Sequence, residues 1–246
     1  MGAVVTEMGS NQYRIFVFGG AQDESGETCY RSCLFLDLGE ENEALQWVEV
    51  EAQLSCPTSF TRACLVNSTE AIICGGHDGI KWLGKCEYFD LGTLTFSPAP
   101  DLAQPRAGHC LVFYLGFIIA LGGYSGSTYL AACERLDLGE AKWASFPKLI
   151  NGRSAFGAVV LDSKIYVAGF KRSIEIFDGY MYLNGCGNWP PGGVLIFSLA
   201  DPDNPQFLGE YQPEYVHDSY VRHDTIFAAA IYSGGGLDIG DLTIKT

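Results

Sequence analysis

The residues most suggestive of chemistry lie in one short segment, 216–224, near the end of the chain. It contains His217, Asp218, Arg222 and His223. On a strand, the two histidines share one face, and Asp218 and Arg222 share the other. Two histidines on one face are typical of a metal site, but six residues of strand hold this pair about 20 Å apart. We therefore interpret the segment as a structural polar network, with a ligand role as the alternative, and we predict no metal and no cofactor.

Two arginines, Arg106 and Arg153, each stand in a turn a few residues before an apolar run. A guanidinium in that position has several donors for the backbone carbonyls that a turn leaves free. We assign both arginines to the polar network, and a rim pocket is the alternative role.

The candidate binding residues follow two glycine pairs. His77 and Asp78 come directly after Gly76, and Tyr124 and Ser125 come after Gly123. Trp82 lies a few residues beyond His77 in the same loop. Because loops on a rigid scaffold commonly carry binding residues, we predict that these five side chains contact a partner, with a solvated turn as the alternative.

Motifs that mark common active sites are absent from the sequence. It has no phosphate-binding G-x-x-x-x-G-K-[ST], no zinc-spaced CxxC pair, no G-x-S-x-G and no HExxH. We therefore predict no catalytic residues and no enzymatic activity.

The elements that position the candidate residues repeat along the chain. The clearest copy spans 105–146: apolar runs at 110–114 and 117–121, Gly122-Gly123, a third run ending at Asp137, and a short strand at 142–146 that carries Trp143. Runs ending in a similar glycine position recur at 13–20, 71–76 and 164–170. Four strands per unit, paired glycines and a later Trp resemble a Kelch repeat. This resemblance implies an all-β fold in which the units are blades of a β-propeller.

The resemblance to Kelch repeats covers about residues 2–190, with units expected at about 2–50, 58–98, 105–147 and 152–190. The rest resembles the LVIVD repeat of bacterial choice-of-anchor proteins. It carries the turn Asp201-Pro202-Asp203-Asn204-Pro205 and the segment 215–224, which imply one unit at 192–234 and a partial one at 235–246. We expect a single propeller domain over 1–246 with five to six four-stranded blades, either closed or incomplete.

Composition limits the class of partner. The net charge of −14 disfavours nucleic acid and anionic lipid, and glycines break the apolar stretch 107–133 into pieces too short to span a membrane. The nine cysteines follow the repeat: Cys33, Cys86 and Cys133 each precede an aspartate by four residues, and Cys64 and Cys110 are matched to each other. We expect core thiols and a cytoplasmic location, with an extracellular or cell-surface location as the alternative.

Three hypotheses for the function follow. The first is a non-catalytic scaffold that presents blade loops to a protein partner. The second is a propeller enzyme, or a binder of a sugar or metal, with its site at the central mouth. The third, which rests on the LVIVD resemblance, is a secreted or surface-anchored bacterial propeller protein. The sequence favours the first and specifies no oligomeric state.

Overall fold

The chain folds into β-strands joined by turns. The structure is a computed structural model, and it describes residues 1–9, 12–22, 28–38, 45–161, 163–168, 174–177, 180–184, 194–198, 206–211, 216–222, 225–230 and 236–241. None of these described residues is helical, which confirms the predicted all-β class.

The described residues form twenty-one strands. They are β1 (Gly2–Gly9), β2 (Gln12–Phe18), β3 (Cys33–Leu38), β4 (Val48–Glu49), β5 (Arg62–Leu65), β6 (Glu70–His77), β7 (Trp82–Asp90), β8 (Thr95–Pro98), β9 (Cys110–Tyr114), β10 (Phe117–Leu121), β11 (Cys133–Asp137), β12 (Ala144–Phe146), β13 (Gly157–Leu161), β14 (Lys164–Ala168), β15 (Ile174–Phe177), β16 (Tyr180–Asn184), β17 (Val194–Ser198), β18 (Gln206–Tyr211), β19 (Val216–Arg222), β20 (Thr225–Ala230) and β21 (Gly236–Asp241).

Neighbouring strands in the chain pair in antiparallel sheets. Sheet 1 contains β1 to β4, sheet 2 contains β5 to β8, and sheet 3 contains β9 to β12. Sheet 4 is the pair β13 and β14, sheet 5 contains β15 to β18, and sheet 6 contains β19 to β21. Separate four-stranded sheets of this kind are consistent with a Kelch β-propeller. The chain divides into two compact units, 1–154 with sheets 1 to 3 and 155–246 with sheets 4 to 6.

Sheet 5 crosses a boundary expected from the sequence. Its first two strands lie in the segment assigned to a Kelch-like unit at 152–190, and its last two lie in the LVIVD-like segment 192–234. The register pairs Met181 with Phe197 and so joins the two segments in one sheet. Sequence patterns had separated these strands because the glycine and aspartate markers change between them.

Sheet 2 is apolar along its second strand because both of its faces are covered. Ala71 and Ile73 pack in a cluster with residues of sheet 1 that include Phe16 and Phe18. Their neighbours Ile72 and Cys74 point to the other face and pack in a cluster with Leu111, Ile118 and Leu136 of sheet 3. Each large side chain buried in this way contributes about 1.5–3 kcal/mol. This arrangement explains the continuous apolar runs, since alternation is lost when both faces of a strand are buried.

The glycine pairs of sheets 1 to 3 each hydrogen-bond in the same way to a segment further along the chain. The amide N–H of Gly20 donates to the carbonyl of Thr58, that of Gly76 donates to Arg106, and that of Gly123 donates to Arg153, each at 2.8 Å. A Cβ on the glycine before each of these would lie 2.4, 2.5 and 2.8 Å from the same three carbonyl oxygens. Only glycine fits at this point, where the backbone has a positive φ and a neighbouring carbonyl approaches closely.

The register confirms one repeat position of the cysteines and corrects another. Cys33, Cys86 and Cys133 each pair with the residue directly before a glycine pair, and all three are buried. None of the eight described cysteines forms a disulfide. The predicted match of Cys64 with Cys110 is wrong. Leu121 and Cys74 are equivalent because each precedes a glycine pair, but Leu121 pairs with Cys110 whereas Cys74 pairs with Arg62. Cys64 therefore lies two residues further along its strand.

The aromatic residues of sheets 1 to 3 also keep their register but not their burial. In each of these sheets, the residue two positions after the repeated cysteine pairs with a residue of the last strand. The aromatic residue comes directly before that partner in the sequence; these aromatic residues are Trp47, Phe96 and Trp143. Trp143 is 5% exposed and its Nε1–H donates to the carbonyl of Pro100 at 2.8 Å, whereas Trp47 is 49% exposed. Trp143 packs against sheet 2, but sheet 1 is the first in its unit and no earlier sheet of that unit covers Trp47.

Replacement of Trp143 by phenylalanine should lower the free energy of unfolding by about 1–3 kcal/mol, because it removes a buried hydrogen bond and leaves unfilled volume. Trp47→Phe is the matched control, and it should change stability by less than about 0.5 kcal/mol because its side chain is half exposed. Urea denaturation followed by circular dichroism measures both. Equal effects for the two substitutions would contradict this account of the repeat.

Candidate functional site

Four aromatic side chains from two sheets pack into one group, the loop aromatic cluster, which consists of His77, Trp82, Tyr124 and Tyr129. The His77 and Trp82 rings meet edge to face with centroids 3.9 Å apart. The Trp82 and Tyr124 centroids lie 5.8 Å apart, and those of Tyr124 and Tyr129 lie 5.2 Å apart. Separations of this size are favourable for aromatic pairs. Three of the five predicted contact residues thus lie together, and Tyr129 joins them.

Short backbone bridges hold the cluster at one end of sheets 2 and 3. His77 is bridged to Ser59, and Tyr124 is bridged to both Ala107 and Tyr129. The indole ring of Trp82 lies 3.4 Å from the place where a Cβ on Gly126 would stand, so the glycine makes room for it. The Tyr124 hydroxyl donates to the Gly126 carbonyl at 2.9 Å. The rings are therefore placed by backbone structure rather than by flexible side chains alone.

Asp78 and Ser125, the other two predicted contact residues, bond within their own loops. One carboxylate oxygen of Asp78 accepts the amide N–H groups of Ile80 and Lys81 at 2.9 and 2.8 Å. Burial opposes the ionised form of Asp78, but these two hydrogen bonds and the nearby charge of Lys81 together lower the pKa of the carboxyl group. The Ser125 hydroxyl donates to the carbonyl of Thr128 at 3.3 Å. Both residues shape the loops that carry the aromatic rings.

Phe60, which no sequence pattern singles out, lies at the same end of the sheets. It follows Ser59, the bridge partner of His77, and its carbonyl accepts the N–H of Gly108 at 2.9 Å. Its backbone has φ 52° and its side chain is 47% exposed. Sheet 3 has Gly108, with φ 59°, at the equivalent position. Alignment of Phe60 with Gly108 is the signal that would have identified it. Arg62 hides this alignment, because in the sequence it resembles a copy of Arg106 displaced by about three residues.

Arg106 is the centre of the polar network in sheet 3. It is fully buried, and its Nη1 donates to the carbonyls of Gly122 at 2.6 Å and Ala132 at 2.9 Å. Its Nη2 forms a salt bridge with the carboxylate of Glu134. Glu134 also accepts the amide N–H groups of Ala103 and Gln104, at 2.7 and 3.1 Å. This network ties the segment that enters sheet 3 to its third strand.

Sheet 2 contains the matching carboxylate without the arginine. Glu87 lies opposite Ile73 as Glu134 lies opposite Ala120, and each follows a repeated cysteine. Glu87 is 8% exposed and accepts the N–H and the hydroxyl of Ser55. Neither glutamate is recognisable as a buried residue from the sequence, because a single acidic residue in a strand most often faces solvent.

Of the other five residues assigned to the polar network, four lie within the described part of the chain. The backbone N–H of Arg153 donates to the Leu130 carbonyl at 3.2 Å, while its Nε has no hydrogen-bond partner among the described residues. His217, Asp218 and Arg222 lie on β19, whose pairing is irregular between Val216 and Asp218. His223 lies outside the described residues, so the network predicted at 216–224 stays a prediction.

Within the described part of the chain, no group of three or more His, Cys, Asp or Glu side chains is arranged to hold a metal ion. The same residues contain no helix that is long and apolar enough to cross a membrane.

Comparison with protein families gives one match. The model described as the KLHDC2/KLHL20/DRC7 Kelch-repeats domain matches residues 2–169. The match ends before the segment that resembles LVIVD repeats, so that resemblance stays a prediction. No curated protein matches the chain. The family match covers well over half of the sequence and agrees with the four-stranded sheets, the glycine pairs and their register, and the chain therefore belongs to the Kelch-repeat family.

Proposed function

We propose that this protein is a non-catalytic scaffold that binds a protein partner through the loop aromatic cluster and the exposed side chains beside it. Kelch-repeat domains are commonly protein-interaction scaffolds. The observation that carries the proposal is the continuous contact of four aromatic rings across two sheets. Tyrosine and tryptophan are enriched among the residues that dominate binding energy at protein interfaces.

The cluster combines rigidity with exposure. Tyr129 is 52% exposed, and Ile80, in the loop between His77 and Trp82, is 90% exposed. Rings that already pack against one another lose little conformational entropy when a partner covers them. Apolar groups at this exposure gain free energy when they are removed from water, at about 25 cal/mol per Å².

The exposed side chain of Phe60 also belongs to the proposed binding surface. A non-glycine residue with left-handed backbone costs about 1–2 kcal/mol, and sheet 3 avoids that cost with a glycine. The phenyl ring of Phe60 is nearly half exposed, so burial in the folded chain does not fully offset the cost. Ala155, at the equivalent position before sheet 4, also has a left-handed backbone with φ 50°, so the turn itself requires this conformation, and the exposed phenyl ring is what distinguishes Phe60.

The net charge of the chain limits the class of protein partner. The chain carries 29 acidic and 15 basic residues, a net charge of −14. Such a charge speeds association with a positively charged surface and repels acidic proteins. We therefore expect the partner to present apolar groups within a basic surface.

The triple variant Phe60→Gly, Ile80→Ser and Tyr129→Ser should lose partners that the wild-type protein captures from lysate, with bound proteins compared by quantitative mass spectrometry. Phe60→Gly should change stability by less than about 1 kcal/mol, since relief of the left-handed strain offsets the flexibility of glycine.

Leu115→Asn is the matched control for this experiment. Leu115 is 64% exposed in the turn at the opposite end of sheet 3, and asparagine tolerates its φ of 48°. The control should keep every partner of the wild type. Equal capture by the triple variant and the wild type would reject the proposed surface.

A further inference from the structure

Two cysteines of sheet 2 face each other on neighbouring strands. The register of β6 and β7 pairs Cys74 directly with Cys86. Both side chains are fully buried and belong to one apolar cluster, so they project from the same face of the sheet. Among the described strand pairs, no other register position has cysteine on both strands. This pair is therefore the place where two thiols of the described chain can react directly with each other.

The backbone hydrogen bonds of Cys86 show which kind of pair this is. Its N–H donates to the carboxylate of Asp101 at 3.1 Å, and its carbonyl accepts the N–H of Ala99 at 3.3 Å. Both partners follow β8 in the chain, so the N–H and C=O of Cys86 point toward β8 and away from Cys74. In a non-hydrogen-bonded antiparallel pair of this kind the Cα atoms lie about 4.5 Å apart. That separation falls within the range of about 4.4–6.8 Å that a disulfide requires.

Other cysteines of sheets 2 and 3 lie too far apart for the same bond. Cys64 lies diagonally from Cys74 on the neighbouring strand, and diagonal neighbours are about 7–8 Å apart. Cys110 and Cys133 lie on the two sides of β10, so their Cα atoms are about 9–10 Å apart. A disulfide does not form beyond about 7 Å without movement of the backbone. The geometry therefore selects the pair on β6 and β7.

We propose that Cys74 and Cys86 form a disulfide when the protein meets a small-molecule disulfide such as oxidised glutathione, and that they remain thiols in a reducing compartment. One cysteine thiolate attacks the small disulfide, which gives a mixed disulfide and releases one thiol. The second cysteine then attacks the mixed disulfide, forms the bond between the two cysteines and releases the second thiol. The cysteine pair loses two electrons and two protons, and the small disulfide becomes two thiols.

Burial controls the rate of this reaction. It raises the pKa of the Cys74 thiol well above its ordinary value, and a hydrogen bond with the Cys86 thiol adds to the effect. The reactive thiolate is therefore rare in the folded protein, and the oxidant reaches the pair when the hairpin of β6 and β7 opens. Once formed, the bond closes that hairpin below His77 and Trp82, which flank its turn. The proposal does not depend on whether the loop aromatic cluster binds a partner.

Incubation of the full chain with oxidised glutathione tests the proposal, in urea below the midpoint of unfolding so that the hairpin opens transiently. Incubation with dithiothreitol is the reference. Tryptic digestion without reduction should give peptides 63–81 and 86–106 joined to each other, and tandem mass spectrometry should locate the link at Cys74 and Cys86. After removal of urea and glutathione, the oxidised protein should have a Tm about 5–10 °C above that of the reduced protein, because the bond restricts the unfolded chain.

Cys64→Ala is the matched control, because peptide 63–81 also contains Cys64. This variant should keep the linked peptides and the rise in Tm, whereas Cys86→Ala should lose both. The proposal is wrong if the wild type forms no link, if Cys64 replaces Cys74 in the link, if a glutathione adduct forms without closing to the disulfide, or if the Tm does not rise. The link in the wild type is observed directly, so the test stays decisive even if Cys86→Ala fails to fold.

Discussion

Replacement of Arg106 by threonine should lower the free energy of unfolding by about 3–5 kcal/mol, because it leaves the buried carboxylate of Glu134 without its cation. Arg106 is fully buried, and the Glu134 side chain is 8% exposed. Threonine is sterically acceptable, since Thr58 occupies the same position in sheet 2 and bonds to the equivalent glycine carbonyl. The expected loss is therefore electrostatic rather than steric. Urea denaturation at neutral pH measures it.

The double variant Arg106→Thr with Glu134→Gln separates the two contributions. Glutamine can still accept the amide N–H groups of Ala103 and Gln104, and it carries no charge that burial would penalise. The double variant should therefore recover part of the lost stability, as removal of both partners costs less than removal of one. A loss below about 1 kcal/mol for Arg106→Thr alone would show that water or another cation compensates Glu134.

The strands and their order could be predicted from the sequence because the markers of the repeat have local causes. Gly75 and Gly76 stand where φ is positive, and Cys86 and Cys133 fill small buried positions in register with the residue before a glycine pair. Such requirements leave a visible pattern in residue types. Trp47 shows the limit of the pattern, because its register is as predicted but its exposure depends on which sheets surround it.

The polar network could not be predicted in full because its geometry depends on distances that residue types do not encode. Glu87 and Glu134 resemble surface residues until the register places them beside a neighbouring segment. In the sequence, Arg62 resembles a displaced copy of Arg106. The strand register instead aligns Arg62 with Cys110, and it aligns Thr58 with Arg106. In the same way, the sequence places Trp82 and Tyr124 in separate loops without indicating that their rings meet.

His109 should make the protein less stable as the pH falls below about 6.5, the ordinary pKa of histidine. It is fully buried and neither ring nitrogen has a hydrogen-bond partner among the described residues. Burial is the main cause that lowers the pKa of this imidazole well below its usual value, and the positive charges of Arg106 and Arg62 add to the effect. The folded protein therefore holds His109 neutral.

The sign of the pH effect follows from which state binds the proton. Below about pH 6.5 the unfolded chain protonates His109 and the folded chain does not, so acid favours unfolding by up to about 1.4 kcal/mol per pH unit. The full stability is present above that pH, and it decreases as the pH falls toward the lowered pKa of the folded state. Sheet 4 has a phenylalanine at the position equivalent to His109. This residue, Phe156, is buried directly before the strand residue that pairs with Ala168, and it suggests phenylalanine as the replacement for His109.

His109→Phe should remove this contribution and leave the acidic residues, which titrate equally in both proteins. Urea denaturation of wild type and variant between about pH 7.5 and pH 5 gives the difference in their free energies of unfolding. We expect that difference to be constant above about pH 6.5 and to shift in favour of the variant at lower pH. A constant difference over the whole range would mean that His109 accepts a proton in the folded state, and that Arg106 and Arg62 do not keep it neutral.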